Sequence, residues 1–502
     1  MEKANMNTRK LVVFGTAVVS LLALAFALPI SAQQQAQQKQ GTLKHEAEPG
    51  LPASCTTAVY TQDGGEEIQE GKTYESTKSG VIESTIFAKN GGWLTLRSPK
   101  IRKTGTKDGE YLGQAVEAAG GSVVNILNGE IYTDTNFANG LWATNEGTLI
   151  YMKGGSITAT ASGGHGVDVT KRGSVILYDV KISTAGQSAA GALVNDAGDG
   201  NICATRVTAK TKGPGSSGFY MIGDKSMLVL VDSTLEAETS EAGVLVHGSI
   251  VTISNSILVG GKAGIKVAGG TLGITGGSLT ATAGDAFYVG GGEGGVPTGG
   301  GQSGAGGSAQ GAGGQGGMPG GQGQSPGASG GQGGMPSGGM PSGGMPSGGM
   351  PSGGMPGGGL MGGKAEVDSI ITVSNGTRIS CTGKLINVAA STKGSFTASG
   401  TELKGNVVVG VKGEFTVALN NSTLSGTVKG AAITLGQNSK WNVTGDSVLT
   451  SLNNTSGISG TEITNIVGNG HTVLYDKELA DNKALGGKTY TLANGGKLTP
   501  NK

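Results

Sequence analysis

The chain has 502 residues, a formal net charge of +1, only 14% charged residues and 98 glycines. That balance excludes a nucleic-acid surface, which needs concentrated Lys and Arg, and the lack of a three-residue glycine period excludes collagen. Its three cysteines, Cys55, Cys203 and Cys381, are too few and too far apart for a disulfide scaffold or a metal motif.

Residues 1–32 read as a secretory signal. Lys3, Arg9 and Lys10 precede the apolar stretch 11–29, and Ile30-Ser31-Ala32 offers small residues before a Gln-rich start. The apolar stretch is near the lower limit for a membrane span, so an uncleaved anchor is the alternative. Residues 33–53 form a polar linker without core-forming residues. Residues 54–120 read as an N-terminal cap and first coils, with strands at Thr57-Ala58-Val59-Tyr60 and Val81-Ile82-Glu83. Residues 114–119, at the end of an excursion containing Tyr111, read as one helical turn.

One phrase then repeats: an apolar residue, another two later, another five after that. It runs through Leu94/Leu96/Ile101, Val124/Ile126/Ile131, Ile150/Met152/Ile157, Val175/Leu177/Ile182, Leu228/Leu230/Leu235, Val251/Ile253/Leu258 and Leu272/Ile274/Leu279. The gap from Val175 to Leu228 reads as two coils, one degenerate. A second phrase follows once per repeat: Gly166-Val167-Asp168-Val169, Gly191-Ala192-Leu193-Val194, Gly218-Phe219-Tyr220-Met221, Gly243-Val244-Leu245-Val246, Gly264-Ile265-Lys266-Val267 and Ala286-Phe287-Tyr288-Val289. Both alternate as short strands do, and no repeat holds an ordinary helix. Units this short cannot bury an apolar face alone but can when stacked, so residues 121–289 read as a parallel β-helix. A β-sandwich is the alternative, but it has no reason to keep the phrases in register.

Residues 290–363 read as a disordered Gly/Met/Pro/Ser-rich loop, ending in Met-Pro-Ser-Gly-Gly repeats and lacking Lys, Arg and aromatic residues. After it, Ile370-Ile371-Thr372-Val373 and Leu385-Ile386-Asn387-Val388 resume the pattern in phase. The tract therefore reads as an insertion between two coils. Residues 364–464 continue the helix, with Phe396, Phe415, Val417, Trp441 and Val443 as interior positions. The sequons at Asn375, Asn420, Asn421, Asn442, Asn453 and Asn454 read as solenoid surface. Residues 465–502 read as a C-terminal cap.

Asn438-Ser439-Lys440-Trp441-Asn442-Val443-Thr444-Gly445-Asp446-Ser447, Gly470-His471-Thr472-Val473 and Gly486-Gly487-Lys488-Thr489-Tyr490 resemble segments of bacterial secreted, adhesin-like proteins with pectate-lyase-like right-handed parallel β-helices. The likeness covers residues 55–289 and 364–502, and the coil phrases are also similar to autotransporter passenger domains, without their translocating barrel. It implies an all-β, single-stranded right-handed solenoid and export, and it implies no particular activity.

The residues that bear on chemistry are sparse. Gly164-His165-Gly166 with nearby Asp168 is similar to the Gly-His-Gly of galacturonan hydrolases, but the paired carboxylates that hydrolysis needs are missing from the preceding coils. His165 and Asp168 are thus weak catalytic candidates, and a solvated turn histidine is the alternative. Asp179 and Asp232 read as turn residues two coils apart, and no arginine reads as lying beside a cluster of acids at the same coil position. Cys203 reads as replacing the start of one coil's core phrase. Trp142, Tyr220 and Tyr288 share the second phrase with Asp168 and Lys266 and are candidates for an outward ligand-binding strip; Tyr151 and Tyr178 read as equivalent in adjacent coils. No cofactor and no metal is expected. The expected partner is a polysaccharide or a cell-envelope surface, with the membrane involved only if residues 1–32 remain attached. The sequence therefore predicts a secreted or cell-surface adhesin-like or carbohydrate-binding protein without catalysis. A polysaccharide lyase or glycoside hydrolase and a structural subunit of extracellular matrix or fibre are the alternatives.

Overall fold

A computed structural model of the chain describes residues 57–77, 83–105, 113–187, 191–195, 198–290, 367–454 and 456–501. The signal (1–32), the linker (33–53), Cys55, Tyr111 and the Gly-rich tract beyond Gly290 lie outside the described residues.

The repeat dictates the architecture. Each coil contributes a short strand, a long strand and a third strand, as in Val167–Thr170, Gly173–Tyr178 and Lys181–Thr184. Each pairs in parallel with its counterpart one coil on, giving a right-handed all-β solenoid of about 13 turns. Leu94, Val124, Ile150, Val175, Ile202, Leu228, Val251 and Leu272 stand directly above one another, each 0% exposed. The degenerate coil in the long gap is Ile202, Ala204 and Ala209, with Ile202 at the predicted core position. Cys203 does not start that core phrase. It sits between Ile176 and Val229 on the outward side of the strand, because side chains alternate with period 2.

The register also shifts two of the short phrases. Val167 pairs with Leu193, and Phe219 pairs with Gly243. Gly166 is therefore matched by Ala192, one residue later than the bare phrase suggests, and Gly218 by Ala242, one residue earlier. A slip of one residue would have turned each strand inside out. The mismatch at Gly243 has a packing cause: a Cβ there would meet the Phe219 ring at 2.0 Å. Residues 114–119 form no helical turn. Val116–Ala118 is a strand paired on both sides, with Ile86 and Leu141 flanking Val116.

The coil before the Gly-rich tract meets the coil after it in register. Leu272 pairs with Ile371 and Phe287 with Ile386, as the resumed pattern predicted. Between the long and third strands runs a column of left-handed residues, including Asn128, Asp179, Arg206, Asp232, Asn255, Asn375 and Asn421 at φ from 48° to 58°. Asn and Asp tolerate this conformation because their short side chains bond locally. Asp179 and Asp232 hold the same corner two coils apart, as predicted, with Arg206 between them. Arg206 grips Asp179 through two bonds, 2.7 and 3.0 Å, and lies 3.8 Å over the Tyr178 ring. Arg206 therefore pairs with one acid at this corner, Asp179, rather than with a cluster of them.

In the first coil the positions in register with the aliphatic core column become polar, and Glu67 among them is exposed. Tyr60 donates to Glu67 (2.7 Å) and Gln62 (2.9 Å), Gln69 donates to Glu67 (2.6 Å), and Tyr74 donates to Gln69. At the other end, the 3-10 helix Ala480–Leu485 and the antiparallel pair Tyr490–Ala493 and Lys497–Pro500 cover the last coil. The outward side of the long strands changes along the solenoid. It carries Val123, Leu149, Tyr151, Ile176 and Met227 in the early coils, then Thr252, Thr372, Thr397 and Thr434 in the later ones. Tyr151 and Tyr178 are not equivalent: Tyr151 pairs with Ile176, and Tyr178 with Lys153.

Candidate functional site

Of the candidates named from the sequence, Trp142, Asp168, Tyr220 and Tyr288 fall on one outward column of the short strands, and His165 does not. In register it reads Phe87, Glu117, Trp142, Asp168, Val194, Tyr220, Val244, Lys266, Tyr288, Asn387, Val408 and Lys429. The column divides by accessibility. Phe87, Glu117, Trp142, Asp168 and Val194 are at most 6% exposed, whereas Tyr220, Val244, Lys266, Tyr288 and Asn387 are half-buried.

The buried half is held by hydrogen bonds. Trp142 Nε1 donates to Thr170 (3.2 Å), which donates to Thr144 (2.9 Å). Asn139 reaches Asp168 (3.4 Å), and Ser84 donates to Glu117 (2.6 Å). Trp142 thus aligns with Tyr220 and Tyr288 but lies beneath the surface they share.

His165 is not a solvated turn residue. It is 5% exposed, and its Nδ1 accepts the backbone N–H of Gly191 at 3.2 Å. The same arrangement recurs in the preceding coils. Ser84 accepts from the N–H of Gln114 (2.9 Å), Gln114 from that of Asn139 (2.5 Å), and Asn139 from that of His165 (2.9 Å). Each residue stands two positions before its coil's first inward residue, at Ile86, Val116, Leu141 and Val167. The corner turns the chain between strands, so its amide cannot join the sheet ladder and needs another acceptor. The ladder stops at Gly191, which has no side chain. It reappears later as Asp285, which accepts from the N–H of Lys384 at 2.7 Å. Sequence reasoning took His165 out of this series, since Ser, Gln, Asn and His share no motif. Their constant offset from the core phrase was the available signal.

The accessible half offers mixed chemistry. Tyr220 presents a ring whose hydroxyl oxygen is buried. Lys266 Nζ lies 5.9 Å from the Tyr288 ring centroid. Burial pulls the Lys266 ammonium below the ordinary lysine value, and the Glu241 carboxylate opposes this. Asp285 links the column to its corner, taking the Asn387 amide (2.7 Å) on its second oxygen. Glu241, paired with Lys262 at 3.2 Å, lies on the same flank. Burial disfavours the charged Glu241, but the Ser240 hydroxyl (2.7 Å), a backbone N–H and Lys262 outweigh it and hold the carboxyl below its ordinary range. Among the described residues no group of three or more His, Cys, Asp or Glu is placed to hold a metal ion. Aromatic faces, one cation and flanking carboxylates suit hydroxyl-rich ligands, whose rings have apolar faces and polar rims.

The fold defines the class: a right-handed parallel β-solenoid. No family model matches the chain, and no curated protein matches it at a significant level.

Proposed function

We propose that the protein is an exported, surface-exposed or extracellular β-solenoid that binds a polysaccharide without turning it over. The observation that carries this reading is the register of one column. Tyr220 and Tyr288 face outward three coils apart, about 14 Å by strand spacing, with Lys266 between them. An extended glycan laid along that column would meet an aromatic face near each end and a cation between. The charge-poor composition and the signal-like residues 1–32 support a role outside the cell.

The test is retention of the purified protein on plant, microbial and host polysaccharides, scored together with new reducing or unsaturated ends. Retention without new ends, weakened about tenfold by Tyr288→Ala, is expected for loss of one aromatic stacking contact. New chain ends on any polymer would make the protein a lyase or hydrolase and overturn the reading. So would retention indifferent to both Tyr220→Ala and Tyr288→Ala.

A further inference from the structure

A concavity of about 330 Å³ lies at the C-terminal end of the solenoid, on a different strand face from the tyrosine column. Its floor is the outward side of the long strands, through Thr416, Ala432 and Thr434. Its wall is the terminal 3-10 helix, which contributes Asp481, Ala484 and Leu485.

The wall is fixed in place. Asn482, 1% exposed, accepts the Leu452 N–H (3.0 Å) and donates to the carbonyls of Thr450 (2.8 Å) and Asp476 (2.6 Å). Asn454 and Asn465 bond each other through both amide groups, at 2.7 and 2.9 Å. A cleft whose sides are tied by buried hydrogen bonds loses little freedom when it takes a ligand.

The lining selects the ligand's chemistry. The volume is at the small end of ordinary small-molecule sites, about 300–1,000 Å³. None of the lining residues is a cation or an aromatic ring, so a sulfate, phosphate or uronate would find no counter-charge and a planar base nothing to stack on. The polar groups are Thr416, Thr434, Ser451, Asn453, Asn454 and one carboxylate, Asp481; Leu452, Ile458 and Ala484 supply apolar surface between them. Hydroxyls, amides and a carboxylate set around a small apolar patch match a sugar ring. The floor also continues beyond the cleft: Thr372, Thr397, Ala418 and Thr434 follow one another coil by coil. This spacing is about 4.8 Å.

We propose that this cleft holds the terminal unit of a neutral glycan, with the following units lying along the Thr-bearing face. The helix wall closes one end, so the cleft selects a chain end rather than a chain interior. This inference does not depend on the tyrosine column.

The test is saturation-transfer NMR on the full chain with cellotriose, maltotriose and tri-N-acetylchitotriose, and with trigalacturonate as the charged counterpart. At least one neutral trisaccharide should receive saturation while trigalacturonate does not. Ala484→Trp, at an exposed position, should fill the cleft and weaken that binding at least about tenfold, and Asp481→Asn should also weaken it by about tenfold, through loss of a charged acceptor. Tyr288→Ala should leave it unchanged. Circular dichroism of both cleft variants establishes that the coils are intact. Binding of no neutral trisaccharide, equal binding of trigalacturonate, or binding that survives both Ala484→Trp and Asp481→Asn would overturn the proposal. Loss of binding in Tyr288→Ala alone would assign the sugar to the other face.

Discussion

His165 separates a structural from a chemical account of the same residue. In His165→Ala the Gly191 N–H loses its acceptor in a corner where the imidazole was 5% exposed. An unpaired buried donor costs about 1–3 kcal/mol, and the vacated imidazole volume adds to that, so a loss of about 2–3 kcal/mol is expected. The preceding coil supplies the control. Asn139 makes the equivalent bond with its side-chain oxygen at 2.9 Å, so His165→Asn should recover all but about 1 kcal/mol. Equilibrium urea unfolding of the two variants, followed by far-ultraviolet circular dichroism, reads the difference as a shift in midpoint at constant slope. Two results would refute the reasoning. One is an alanine variant that unfolds like the parent; the other is an asparagine variant as weak as the alanine one. Either would mean that the imidazole is kept for something other than the corner bond.

Burial pushes the Cys203 thiol up to about 11. The thiolate is the reactive form, so iodoacetamide at pH 8 should label Cys203 far more slowly in the folded protein than in urea; equal rates, read by peptide mass spectrometry, would contradict its placement. The depressed Glu241 carboxyl stabilises the fold above the ordinary glutamate pKa, and this contribution is lost as pH falls through the lower folded value. Melting measured from pH 6 to pH 3 should therefore drop less steeply in Glu241→Gln than in the parent, and identical slopes would count against the Ser240 and Lys262 contacts. Gly243→Val should cost about 1–3 kcal/mol, because the added carbons fall on the Phe219 ring. Combining it with Phe219→Leu should return part of that loss in a double-mutant cycle, whereas strict additivity would show that the two residues do not share the space.

The solenoid was legible because its interior is written in a period that few other folds would keep. Leu94, Val124 and Ile150 recur at one coil position, and the structure stacks them. Register at single-residue precision was less legible. Gly191 and Gly243 imitate the glycine of Gly166 and Gly218, but backbone pairing, not composition, decides which residue meets which. For the same reason the phrase places Cys203 at the start of a core triplet when pairing turns it outward, and residues 114–119 resemble a turn of helix when flanking strands claim them. The tyrosine column could be aligned from the phrases, but accessibility could not. Nothing in the string Leu-Trp-Ala-Thr reveals that Trp142 is covered while Tyr288 is not. The corner ladder was hidden because its members share a job, accepting one amide, and not a residue type. The sequon at Asn454 illustrates the same limit. A sequon suggests surface, yet Asn454 is 2% exposed and its side chain is bonded to Asn465.

The pairing of Leu272 with Ile371 and Phe287 with Ile386 has a consequence for how this chain can vary. The seam between those coils is closed by strands that meet as neighbours whatever lies between Gly290 and Val367. The tandem Met-Pro-Ser-Gly-Gly units can therefore expand or contract through replication slippage in steps of five codons without disturbing the reading frame or the stack. The strands themselves have no such latitude, since one added residue within a strand would invert a face. Length variation among natural alleles should thus gather at this seam, which is also the natural port for grafting a foreign domain.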